Sequence, residues 1–222
     1  LASAVAAAGS AGVTVVVVGY THKDEGEFIP GEMSIEGGGK EAGGDRDSLS
    51  LSAADEALVL AVAAANARTV VVVIGGSAIT MERWHHKVDA ILMLWYPGME
   101  GGHAAARLLF GEVSPSGKLP FTIPTDAAEL PFFDKDAEHI EYGMYHGYTL
   151  FDLNQLEPAY CFGFGLSYTS FDYGPVRGSV DGEAVTLRCE VTNSGDRTAE
   201  EVVQCYVGFE RSAVDRPKKL LR

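Results

Sequence analysis

The residues best suited to chemistry in this sequence are the acids of one polar stretch, residues 19–47, GYTHKDEGEFIPGEMSIEGGGKEAGGDRD, which carries Asp24, Glu25, Glu27, Glu32, Glu36 and Glu41. A carboxylic acid in a loop at the end of a strand suits general acid/base work when its surroundings raise its pKa. A solvated acidic loop is the plain alternative, because most charged runs are solvated faces. Other chemistries find less support. Gly37-Gly38-Gly39-Lys40 runs into Glu41 where a phosphate-binding loop needs Ser or Thr, and no strand is followed by a dinucleotide fingerprint. Gly75-Gly76-Ser77-Ala78-Ile79 lacks the second glycine of a nucleophile elbow. His85 and His86 are adjacent, not one helical turn apart, so they read as a surface pair and no metal site is expected.

The elements that would position these acids follow from hydrophobic patterning. Val13 to Val18 is an unbroken, mostly β-branched run, the pattern of a parallel strand covered on both faces. The polar stretch starts where that strand ends, and ligands of open α/β sheets bind beyond the carboxyl ends of the strands. Ser52 can cap a helix over 53–65, with Asp55 and Glu56 in its first turn and Asn66 closing it. Further strands are expected over 69–74 and 91–95, a helical turn over 81–87, and a helix over 102–110 with Ala104, Leu108 and Leu109 inward. Strand and helix alternating in this way give an α/β fold: an open, mostly parallel sheet with helices on both faces.

From Pro115 the pattern changes, and residues 126–168 are rich in aromatics, Gly and Pro without either period. Beyond about residue 169 alternating stretches at 184–191 and 201–207, joined through Asn193-Ser194-Gly195-Asp196, read as opening strands of a small antiparallel β-sandwich. The expected division is an α/β domain over 1–125, a structured aromatic-rich connection over 126–168, and an incomplete β domain over 169–222.

A net charge of −14 and a pI near 4.7 argue against nucleic acid and anionic membranes as partners. Apolar runs such as 70–74 are too short for a membrane span. Cys161, Cys189 and Cys205 are odd in number, so they form no closed disulfide framework, and Cys189 and Cys205 read as buried thiols on strands. The chain opens at Leu1 inside an Ala-rich helix and stops after a Pro-Lys-Lys segment, which reads as an internal fragment. Compartment therefore stays open between cytoplasm, periplasm and secretion, and homodimer formation stays open as well.

Four motifs in order resemble the C-terminal half of glycoside hydrolase family 3, β-glucosidase type. Residues 91–102, ILMLWYPGMEGG, resemble that family's A-W-Y-P-G-Q-E-G-G, and residues 109–120, LFGEVSPSGKLP, are similar to L-F-G-x-x-N-P-S-G-R-L-P. Residues 162–169, FGFGLSYT, resemble F-G-Y-G-L-S-Y-T, with Cys161 where proline is usual. Residues 201–207 and 216–220 are similar to the start of the fibronectin-III-like domain that follows.

The resemblance implies a retaining β-glycosidase, most naturally a β-glucosidase acting on terminal β-D-glucosyl residues, that uses no cofactor. In that family a (β/α)8 barrel supplies an aspartate nucleophile, and the α/β sandwich domain lends the acid/base glutamate from a loop reading E-G, an aromatic, polar residues and G-D-R. Asp24-Glu25-Gly26-Glu27-Phe28 with Gly44-Asp45-Arg46 fits that loop and places the acid/base on Glu25. Glu27 competes, because it stands where the aromatic usually falls and Phe28 comes one place later. Phe28 and Trp84 are the expected substrate-facing aromatics, while Asp45 and Arg46 are expected to pair and tie down the loop base.

The substrate would be a β-glucoside or oligosaccharide, and the principal partner the barrel of the same polypeptide, absent here along with its nucleophile. These residues alone would then be inactive. A non-catalytic carbohydrate-binding or interaction module on the same fold is the competing reading.

Overall fold

A computed structural model describes residues 1–21, 24–25, 46, 48–134, 137–209, 211, 213 and 219–221. Its centre is a parallel sheet of three strands, β1 (Thr14–Gly19), β2 (Thr69–Ile74) and β3 (Ala90–Met93), in the order β1-β2-β3. Thr14 stands opposite Thr69, Gly19 opposite Ile74 and Val73 opposite Met93. With that register all three strands end at one edge, so the segments that follow them emerge side by side.

Helix α1 (Ala2–Ser10) packs on α2 (Ala53–Ala65), and α2 packs on β1 and β2. Ser52 caps α2 as its sequence requires, its hydroxyl accepting from the Asp55 N–H at 3.1 Å. Asn66 closes it and donates to the Ala8 and Ala11 carbonyls at 2.9 Å, which locks α1 beside it. Ala8, Val16, Val18, Val59, Val62, Val71 and Val73 make the dry layer between helices and sheet. Full burial of one such valine contributes about 1.5–3 kcal/mol.

The α/β class read from the sequence is the class observed, with one difference at β1. Val16 and Val18 are buried against the helices, yet Val15 and Val17 on the opposite face are 45% and 59% exposed. A β-branched run reports strand formation, not how many faces are covered.

Helix α3 (Gly101–Leu109) starts on the P-G-x-x-G turn, where a Cβ on Gly101 would lie 2.4 Å from Pro97 Cγ. Leu108 is half-buried, but Ala104 and Leu109 face outward, contrary to the expected inner side. Residues 119–123 pair back with the aromatic connection: Ile123 exchanges backbone hydrogen bonds with Tyr160, and Leu119 with Gly163 and Phe164. The connection also holds the short helix α4 (Tyr148–Asn154).

Three antiparallel pairs follow: β4 (Phe171–Tyr173) with β7 (Val191–Asn193), β5 (Arg177–Asp181) with β6 (Ala184–Arg188), and β8 (Cys205–Val207) with β9 (Lys219–Leu221). They are fastened to the α/β part by Lys118 Nζ to Glu201 Oε2 at 3.2 Å, Arg197 to the Gly111 carbonyl at 3.0 Å and Gln204 to the Gly163 carbonyl at 3.2 Å. The expectation of buried thiols is corrected here. Cys189 is exposed, because it follows directly on β6, which with β5 lies open to solvent along its length, and Cys205 on β8 is only partly buried. Among the described residues no helix is long and apolar enough to cross a membrane.

Candidate active site

Glu25 stands six residues beyond the end of β1, and its position is fixed from both sides of the chain. Upstream, Tyr20 N–H donates to the Ile74 carbonyl at 2.8 Å, continuing the sheet by one residue. Thr21 then makes a turn in which its N–H and hydroxyl both donate to Asp24 Oδ2 at 2.8 Å, and Asp24 and Glu25 N–H donate back to the Thr21 carbonyl. Asp24 is thus a turn-former, a common use of Asp after a strand.

The Glu25 carboxylate takes donors on both oxygens. Arg46 Nε lies 3.0 Å from Oε1, with the two side chains only 10% and 15% exposed. The Gly76 N–H donates to Oε2 at 3.0 Å, and the Tyr96 hydroxyl donates to the same oxygen. Glu25 and two of these partners lie beyond the three strand ends: Glu25 after β1, Gly76 after β2, Tyr96 after β3. Sheet register brings them together.

Arg46 is held by more than Glu25. Its Nη2 donates to the Ser77 hydroxyl and to the Ala78 carbonyl at 3.1 Å, and its guanidinium lies 4.3 Å above the Tyr20 ring. Its Nη1 is buried without a partner among the described residues. The Tyr20 hydroxyl donates to the Ser50 carbonyl, while Ser50 bridges to Thr80. Tyr20 and Arg46 are thereby held beside Ser50 and Ala78.

Two phenols feel this environment. Desolvation raises the Tyr20 pKa, with Arg46 pulling it back. Tyr96 is pushed up to about 12, first by desolvation and then by its hydrogen bond to the Glu25 carboxylate and that group's charge. Although the Tyr96 residue is half exposed, its hydroxyl is spent on Glu25. It stays a proton donor across the neutral range.

Tyr96 is aimed by an uncommon backbone. Trp95 has φ of +56°, a left-handed conformation that costs a bulky residue on the order of 1–3 kcal/mol. Its ring packs edge-on against Phe121 with centroids 5.3 Å apart.

Of the residues singled out in the sequence, Glu25 lies at the carboxyl edge of the sheet, and Arg46 meets Glu25, Ser77 and Ala78. Asp45, Glu27 and Phe28 lie outside the described residues. Trp84, expected to face substrate, is instead a core residue, 0% exposed among Ile79, Met81 and Ile123. It stands at the start of the short helical turn His85–Lys87, with its ring in the core. Glu100 at the start of α3 caps no backbone amide with its side chain and pairs with His103 at 2.7 Å. His85 lies between the Tyr160 hydroxyl and Glu82, and no cluster of three or more metal-ligating side chains is found among the described residues. Tyr96 and Gly76 were missed as site residues. Their signal was topological, since each follows a parallel strand at the edge where Glu25 sits.

Residues 1–168 match the family described as glycosyl hydrolase family 3 C-terminal domain. The chain is similar to a β-glucosidase of Rhizobium radiobacter, 39% identical over 190 residues, which are 80% of this chain and 23% of that protein. It is similar also to an exo-α-(1→6)-L-arabinopyranosidase of Bifidobacterium longum, 40% identical over 186 residues, 81% of this chain and 25% of that one. The crystal structure of a Bifidobacterium adolescentis family 3 β-glucosidase superposes with a TM-score of 0.84 at 33% identity, over 100% of this chain and 32% of that one. The chain thus spans about a quarter to a third of the length of these relatives.

Proposed function

Because the chain belongs to glycosyl hydrolase family 3, as its C-terminal domain, we propose that it is the part of a retaining β-glycosidase that lends the acid/base, and that Glu25 is that residue. The supporting observation is the fixed carboxylate of Glu25, held at the carboxyl edge of the sheet by Arg46, Gly76 and Tyr96. As acid it protonates the glycosidic oxygen while a carboxylate on the barrel attacks the anomeric carbon. As base it then takes a proton from the water that hydrolyses the glycosyl-enzyme. In the assembled enzyme the two carboxyl groups approach to about 5–5.5 Å.

A terminal β-D-glucosyl residue is the proposed substrate, by analogy with the β-glucosidases the chain is similar to. The sugar-selecting contacts belong to the barrel. Residues 169–222 are assigned to the opening of a fibronectin-III-like domain.

The test is Glu25→Ala in a polypeptide that joins this chain to its barrel. Turnover of glucosides with poor leaving groups should fall by a factor on the order of 10²–10⁴, activated aryl glucosides should suffer far less, and azide should restore rate by trapping the glycosyl-enzyme. Glu27→Ala is the control. If Glu27→Ala shows that pattern and Glu25→Ala does not, the assignment moves to Glu27. The 222 residues alone should hydrolyse no glucoside.

One observation favours a second reading. A carboxylate meeting a guanidinium, a phenol and an amide is also a good structural tie, as a carbohydrate-binding module without chemistry would use it. In that case Glu25→Ala lowers stability and leaves the leaving-group dependence unchanged.

A further inference from the structure

Tyr96 forms no bond to substrate in the chemistry so far described, yet three features converge on its contact with Glu25. The donors are divided between the two carboxylate oxygens: Arg46 meets Oε1, while Tyr96 and the Gly76 N–H share Oε2. Rotation of the carboxylate about its terminal bond would break all three contacts at once.

The second feature is the left-handed backbone at Trp95, φ +56°, directly before Tyr96, with the Trp95 ring pinned on Phe121. A strained bulky residue persists where its surroundings over-determine it, and such residues cluster where a neighbour must be aimed. The third is the room left at Gly76. A Cβ there would lie 2.9 Å from Tyr96 Cε2 and 3.2 Å from Glu25 Oε2, so any larger residue would press on both members of the pair.

We propose that Tyr96 is a positioning residue for Glu25, its hydroxyl fixing which way the carboxylate faces at the carboxyl edge of the sheet. This rests on the reading of Glu25 as acid/base. When Glu25 has given its proton to the glycosidic oxygen, the Tyr96 O–H, the Gly76 N–H and Arg46 receive the carboxylate charge without moving. When Glu25 takes a proton from water, the same contacts return it to its starting orientation. Tyr96 keeps its own proton throughout and forms no bond to substrate.

Two measurements test this separately. The first uses the 222-residue chain: alkaline titration of phenolate absorbance, wild type minus Tyr96→Phe, isolates the Tyr96 transition. It is expected near pH 12, and to move to lower pH in a Glu25→Gln background. A Tyr96 transition unmoved by Glu25→Gln means that the contact is absent and overturns the proposal whatever the activity.

The second uses the chain joined to its barrel. Tyr96→Phe keeps the ring, and should reduce kcat on poor leaving groups by roughly tenfold to a hundredfold, with KM and activated aryl glucosides little affected. If Glu25→Ala cripples poor leaving groups and Tyr96→Phe does not, positioning by Tyr96 is wrong and the acid/base assignment stands. If Glu25→Ala spares them too, the acid/base reading falls and takes this role with it, while the titration still reports the contact.

Discussion

Arg46 and Glu25 meet in the candidate active site, Nε to Oε1 at 3.0 Å with both side chains largely covered. Removing one partner of such a pair leaves the other buried and uncompensated. Arg46→Ala should therefore destabilise the chain by about 3 kcal/mol, read as a lower urea midpoint at unchanged m-value. Arg46→Lys should recover only part of this, since one ammonium cannot serve Glu25, Ser77 and Ala78 together.

A second covered carboxylate behaves differently. Glu56 on α2 is 4% exposed and accepts from Arg83 Nη1 at 2.6 Å. Arg83→Ala should cost about 1–3 kcal/mol. Arg83→Ala with Glu56→Leu should win back most of the loss, because removing both partners leaves no buried charge. A double variant no more stable than Arg83→Ala alone would contradict this.

Trp84 supplies a test of its core placement. Trp84→Ala should lose about 3–5 kcal/mol, whereas Trp84→Phe should lose much less than Trp84→Ala, because the indole N–H has no partner among the described residues to forfeit. In the barrel-joined polypeptide neither folded variant should change KM for aryl glucosides. A KM effect of Trp84→Phe at unchanged melting temperature would return Trp84 to the substrate surface.

Alkaline pH should weaken the fold through Tyr96. Its pKa rises from the ordinary 10.0 to about 12 in the folded chain, so between those values the folded state binds the proton that the unfolded state has released. With more protons on the folded side, stability falls as pH climbs through that window and is fully present below it. Thermal melts from pH 9 to 12 should show a shallower decline for Tyr96→Phe than for the wild type.

Lys118 fastens the β segment to the α/β part through Glu201, and also donates to the Gly165 carbonyl of the connection. Lys118→Ala should leave melting of the α/β part little changed while speeding limited proteolysis around residues 197–204. Unchanged cleavage would show that the Arg197 and Gln204 contacts suffice.

Much of the frame was legible because its signals are local. Ser52 followed by Asp55 and Glu56 announces a capped helix, and the valine run over 69–74 announces a strand, whatever lies elsewhere. Glu25 was reached by motif resemblance, not by patterning, and its partners were not legible: Tyr96 is 71 residues away and meets it only through the register of the sheet. The sequence equally gives no hint that Trp84 turns inward or that Val15 and Val17 stay uncovered, because burial depends on what packs from a distance. Hydrophobic periodicity says which side of a strand prefers cover, and says nothing about whether cover arrives.

The three-strand register that gathers Glu25, Gly76 and Tyr96 also sets when the site can come into being. Each strand is joined to the next through a crossover, so no pair of these residues can meet until the intervening chain has been made and the parallel pairing closed. Such non-local pairings are slow steps in folding. A chain emerging during synthesis therefore acquires its helices early and the contacts around Glu25 only after residue 96 has cleared the exit, which makes the Tyr96 contact a milestone by which closure of the parallel sheet can be timed.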